Sequence, residues 1–173
     1  MKKTLQQGQA DGLCGLYSLL NFLMLDSEWK TKTPESAMEC TLEAVRAEGL
    51  LTPDYVTGGF QAYQLTAIAN RIFASHRINF KAVVLADVSR ASQRESAFDV
   101  YCRILSCGGS VIGGPRGRNH WVLVTSSRRG NMILDSANPH RPTKAFDRRQ
   151  PRYCAREGVA ILPIQRSMVD IEL

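Results

Sequence analysis

The sequence predicts an α+β fold in which an N-terminal helical half, about residues 1–107, packs on a C-terminal antiparallel sheet, about residues 108–173. Three observations lead there. Apolar residues recur at helical spacing through the first part of the chain, branched residues gather in short runs after His76, and the last third holds four such runs bounded by glycines and polar turns. A chain of 173 residues with 44% apolar content is long enough for one buried core and short for two, so it reads as one domain.

The elements follow in order. From Cys14 to about Asp26, apolar residues at 16, 19, 20, 23 and 24 form a broad stripe, which predicts a buried central helix. Thr33-Pro34-Glu35-Ser36 is a helix start with proline at the first helical position and an early acid; Ala37, Leu42 and Val45 supply an inner face before Gly49. A third helix from about Gln61 to Ala74 begins after the breaker Gly58-Gly59. Phe80 to Leu85 reads as a strand, and a fourth helix from about Ser92 to Cys107 stops at Gly108-Gly109. Strands are then expected at Ser110–Gly113, His120–Thr125, Asn131–Leu134 and Gly158–Ile164, with Asn138 to Pro142 as a surface loop.

Composition narrows the function classes. No run of eighteen apolar residues occurs, and Met1-Lys2-Lys3 leads into Thr-Leu-Gln-Gln-Gly-Gln, so neither a membrane span nor a standard signal peptide is expected. Five cysteines, an odd number, argue against a fully paired disulfide framework and for synthesis in a reducing, cytoplasmic compartment. The net charge of +6 is uneven: Pro115 to Arg156 carries ten Lys/Arg against two Asp, or +8, leaving −2 for the rest. Such a basic arc is either a solvated surface or a means of steering an acidic substrate or partner. Nucleic acid is disfavoured, because the arginines lack interleaved aromatics and no helix-turn-helix or zinc-finger spacing occurs. No metal or cofactor is expected. Cys102 and Cys107 have no Cys-x-x-Cys or His-x₃-His to complete a site, and glycines 113, 114 and 117 lack the Lys-Ser/Thr of a phosphate loop and read instead as a flexible lip before His120.

The chemistry gathers at three places. Gln9 to Ser18 puts Cys14 between a glycine-flexed loop and the start of an apolar helix, where unpaired first-turn N–H groups and the helix dipole favour a thiolate. Asn119-His120-Trp121 opens a strand with a base, and Asn131 to Asp135 ends the next strand with a carboxylate. Each has a plainer reading: Cys14 as a small buried helix residue, His120 as a polar strand start, Asp135 as the cap of the Ser136-Ala137-Asn138-Pro139 turn. His76 and His140 read as surface residues.

The Cys-Gly at a helix start, the glutamines upstream, the His-Trp-hydrophobic strand and the Asp closing the following strand together resemble the papain-like cysteine peptidases, including compact bacterial members and amide-hydrolysing effectors or toxins of that fold. The resemblance does not extend to Met38–Phe98 or to the tail after Asp147. It implies a papain-like fold and a thiol hydrolase that cleaves an amide bond in a protein or peptide substrate through Cys14, His120 and Asp135. It also implies a glutamine in the oxyanion hole. Gln9 lies five residues before Cys14 and Gln7 seven before, one on either side of the family's usual spacing; Gln9 is the first choice, with Gln7 and Asp11 as rivals. The same residues suit a glutamine deamidase, a deubiquitinase-like or acyl-transfer effector, and a silent scaffold that binds an acidic partner through the basic arc. An effector of this kind would leave the cell by a route that needs no signal peptide.

A hairpin pairing residues whose numbers sum to 255, turning at Ser126 to Arg129, would set His120 opposite Asp135 and place His120, Val122 and Val124 on the face of Ile133 and Asp135. Trp121 would then face the other way, into core or wall packing.

Overall fold

The computed structural model describes residues 13–25, 29, 32–89, 95–114, 120–128, 130–138, 143–147, 154 and 157–164. Its elements are α1 (Cys14–Leu23), α2 (Pro34–Ala47), α3 (Pro53–Gly58), α4 (Ala62–Ser75), β1 (Phe80–Val84), α5 (Leu85–Ser89), α6 (Ala97–Ser106), β2 (Ser110–Gly113), β3 (Val122–Ser127), β4 (Gly130–Leu134), β5 (Thr143–Ala145) and β6 (Gly158–Pro163). The architecture is α+β. The strands form one sheet in the order β1-β6-β2-β3-β4-β5, with every neighbouring pair antiparallel.

Helix starts follow local chemistry. Thr33 caps α2 by accepting the Ser36 N–H at 3.2 Å, with Pro34 in the first turn. Gln61 and Gln64 make a reciprocal capping box at α4, in which the Gln61 N–H donates to Gln64 Oε1 at 2.8 Å. Ser96 caps α6, so this helix starts several residues later than Ser92. Gly108, at φ +77°, then carries the chain out of the helix and into β2.

Each face of the sheet is covered. Leu16, Leu19, Leu20 and Leu23 of α1 and Leu65, Ile68 and Ile72 of α4 pack with Ile112, Leu123, Val159 and Ile161 on one side. On the other side, Val100, Tyr101, Ile104 and Leu105 of α6 pack with Val111, Val122, Val124, Ile133 and Ala160. These two sets alternate along β2, β3 and β6, as the pleat requires. Every residue of α1 is buried except Tyr17. That goes beyond a one-sided stripe and makes α1 the central helix.

Two differences from the sequence reading stand out. The sheet begins earlier than residue 108, because Phe80–Val84 is its edge strand, and α5 and α6 lie between this strand and the rest. The hairpin β3–β4 pairs Leu123 with Leu134 and Ser127 with Gly130, so partner numbers sum to 257 and two residues separate the strands. Gly130, at φ +107°, adopts a backbone that other residues rarely take and permits the tighter turn. Because the offset is two residues, each side chain keeps its expected face; an offset of one would have reversed them all.

Edge strand β1 is closed off by a side chain. Asn70 of α4 donates through Nδ2 to the Ala82 carbonyl at 2.9 Å and accepts the Ala82 N–H on Oδ1 at 2.8 Å, acting as a one-residue strand partner. Asn70→Ala removes both bonds at once. It should destabilise the fold by about 1–3 kcal/mol in urea denaturation while leaving Cys14 alkylation unchanged; wild-type stability would show that solvent satisfies Ala82 equally well.

Candidate active site

Cys14 is the first residue of α1 and only 4% exposed. The residue before it, Leu13, occupies the cap position and has no side-chain acceptor for the first-turn N–H groups. Gly15 is explained by its neighbour: a Cβ there would lie 2.7 Å from Leu65 Cδ1, so the start of α4 packs directly on the thiol-bearing turn.

Trp121 ties this turn to the sheet. Its backbone N–H donates to Cys14 Sγ at 3.4 Å, a bond that carries more weight when the sulfur is anionic. Its indole N–H donates to the Phe60 carbonyl at 3.1 Å, just before α4, and its ring packs against the α1–α4 core. This is the wall position that alternation predicted.

His120 and Asp135 sit just outside the ends of β3 and β4. His120 Nε2–H donates to Asp135 Oδ1 at 2.8 Å, and Cys14, whose Sγ accepts the N–H of the adjoining Trp121, lies near enough to act on the same imidazole. Thiol, imidazole and carboxylate therefore gather at one place. The observed register makes Asp135 a diagonal neighbour of His120, not the directly opposite residue.

Asp135 also caps a turn. Its Oδ1 accepts the Ala137 N–H at 3.2 Å, and its carbonyl accepts the Asn138 N–H at 3.3 Å. The turn and the imidazole share one carboxylate, and the turn fixes the direction in which that carboxylate points. Lys144 of β5 places its Nζ 3.9 Å from Asp135 Oδ2.

Burial pulls the His120 imidazolium down, but the hydrogen bonds to Asp135 and Cys14 and the charges of both outweigh it and carry the value up to about 9. Burial likewise pushes the Asp135 carboxyl up. The hydrogen bond and charge of His120, followed by Lys144 and the Ala137 N–H, overcome that and hold it below its ordinary value.

The structure thus brings Cys14, His120 and Asp135 together. Gln9, Gln7, Asp11 and Asn119 lie outside the described residues, as does Gly117 of the expected lip. His76 differs from the surface reading: it is half-buried, with its ring edge-on to buried Trp29 at 5.0 Å. Three contributors were not anticipated, namely Phe60 as the anchor of Trp121, Ala137 as a donor to Asp135, and Lys144. The Asn-Pro after Ala137 hinted at the turn, whereas Thr143-Lys144-Ala145 has no strand pattern of its own. Among the described residues, no group of three His, Cys, Asp or Glu is arranged to hold a metal ion, and no helix is long and apolar enough to cross a membrane.

No protein-family model matches the chain, and none of the curated proteins matches it.

The two shifts fix a pH dependence of stability. His120, raised from 6.5 to about 9, contributes fully below pH 6.5 and loses that contribution as pH rises through 9. Asp135, lowered from 3.8, contributes above that pH and loses its contribution as pH falls through its folded value. Urea denaturation should show wild type exceeding Asp135→Asn most clearly between about pH 4 and pH 6.5, by on the order of 1–2 kcal/mol after solvent screening, with the gap closing towards pH 9. A gap that stays constant over this range would rule out the ion pair as its source.

Proposed function

We propose that the protein is a papain-like thiol hydrolase that cleaves an amide bond in a protein or peptide substrate. The observation that carries this reading is the meeting of three groups at one place: His120 Nε2 stands 2.8 Å from Asp135 Oδ1, and Cys14 Sγ accepts the N–H of Trp121, the residue next to His120, at 3.4 Å. The thiol's place at the start of α1 is the second support, since the dipole and the first-turn N–H groups favour negative charge there.

The chemistry proceeds as follows. His120 takes the thiol proton and forms a thiolate–imidazolium pair, held by Asp135 on the far nitrogen. The thiolate attacks the amide carbon, and the carbonyl electrons move onto oxygen to give a tetrahedral oxyanion. The Cys14 backbone N–H is one donor to that oxygen, and Gln9 is the proposed second. As the C–N bond breaks, His120 passes its proton to the departing amine and leaves a thioester on Cys14. Water, deprotonated by His120, attacks the thioester; the free acid leaves and the thiol is regenerated.

The same steps serve a side-chain amide or an isopeptide bond, so the product identifies the substrate. Peptide cleavage gives two fragments, deamidation gives an uncut and slightly heavier target, and acyl transfer gives a cross-linked or amine-capped product. Of the basic arc, Arg128 and Lys144 fall within the described residues, and exposed Arg128 is available to attract an acidic substrate or partner.

The test is the alkylation rate of each cysteine by iodoacetamide from about pH 4 to about pH 9, read by peptide mass spectrometry in wild type and His120→Ala. Cys14 should label faster than the other cysteines, and this advantage should disappear without His120. An ordinary thiol profile in wild type would overturn the proposal. Once a substrate is found, Cys14→Ala and His120→Ala should each abolish turnover with the fold retained, and Asp135→Ala should lower it by a comparable or smaller factor, because the three act as a unit. Cys40, Cys102 and Cys107 should tolerate serine with far smaller losses. Full turnover in Cys14→Ala would refute the mechanism.

A further inference from the structure

The carboxylate of Asp135 has two sides, and the hydrolase mechanism uses only one. Oδ1 receives the His120 Nε2–H and the Ala137 N–H, while Oδ2 faces the Lys144 ammonium at 3.9 Å. The fold makes this second contact systematically. β5 pairs with β4 so that Lys144 stands beside Ile133, and Asp135, two residues further on, shares that face, which makes Lys144 its diagonal neighbour across the sheet. The two side chains are also sheltered, at 21% exposure for Lys144 and 10% for Asp135, so water screens their interaction less than it would at the surface. Among the described residues, the charged or titratable groups facing Asp135 are His120, from the segment before β3, and Lys144, from β5. Cys14, from α1, acts on His120 as well.

We propose that Lys144 is a positioning residue that sets the pH range of the Cys14–His120 pair by sharing the charge of Asp135. This rests on the hydrolase reading above. A lone buried carboxylate would hold the imidazolium proton tightly. An imidazolium that is too weak an acid gives up its proton slowly to the departing amine, and catalytic proton transfer is fastest when the group's affinity lies near the working pH. A cation on the opposite oxygen of Asp135 draws off part of that negative charge, keeps the carboxylate ionised at lower pH, and lets His120 release its proton sooner. Lys144 needs no contact with substrate to do this, so its effect belongs in the titration of His120.

The experiment uses the full-length chain and no substrate. The imidazole Cε1–H resonance of His120 is followed by NMR across the pH range in wild type, Lys144→Met and Lys144→Arg, with assignment by its loss in His120→Ala. Cys14 alkylation is measured on the same samples. Lys144→Met should raise the His120 midpoint by on the order of 0.5–1 pH unit, since one nearby positive charge has gone. Lys144→Arg should titrate like wild type. A His120 midpoint unchanged in Lys144→Met would overturn the proposal, as would an equal shift in Lys144→Arg, which would assign the effect to packing. Lys144→Gln, a second neutral variant, provides the same comparison if the methionine variant does not fold. The hydrolase reading fails separately, through an ordinary Cys14 profile in wild type; the Lys144 effect on His120 is read independently of that result.

Discussion

The site depends on the burial of α1 against β3. Nine of the ten residues of α1 are buried, and this packing brings the helix's first residue to the mouth of the strand, where the Trp121 N–H meets Cys14 Sγ across a sequence separation of 107 residues. A thiol on an exposed helix end would have the dipole but no fixed partner. Here leucines on successive turns, each worth roughly 1.5–3 kcal/mol when fully buried, hold the helix in place, and the thiol's position follows from that packing. Gly15 contributes by having no side chain, which lets Leu65 close over the first turn.

A similar economy governs the imidazole and its carboxylate. His120 and Asp135 lie just beyond the strand ends, where they keep the strand's alternation but no longer pair in the ladder. Their geometry is secured from outside the sheet, by the Asx turn that anchors the Asp135 carboxylate through Ala137 and by the indole of Trp121 fastened to Phe60. Because both ionisable groups are substantially buried, each depends on the other to stay charged. The opposite movements of His120 and Asp135 from their ordinary values are two expressions of the same hydrogen bond.

Legibility varied with how local the determining physics was. α2 and α4 were readable almost to the residue, because Thr33-Pro34 marks one start and Gly58-Gly59 breaks the chain just before the other. α3 and α5, six and five residues long, are too short for helical periodicity to register. β5 has three residues and exists only because β4 offers it an edge. The hairpin register missed by two residues because it depended on where the turn closes, which the backbone of Gly130 decides. Parity survived that error, so the prediction that His120 and Asp135 share a side did too.

The sequence by itself determined the identities of the three chemical groups, the helix start that carries Cys14 and the alternation that put Trp121 in the wall, since each follows from spacing within a short segment. Only the tertiary structure decided that β1 joins the sheet from the helical part of the chain, that Asp135 serves turn and imidazole together, and that Lys144 stands against its second oxygen. The reason is physical: periodicity and capping are properties of neighbouring residues, whereas strand order and the approach of a lysine to a carboxylate arise from long-range pairing, which no local window of sequence contains.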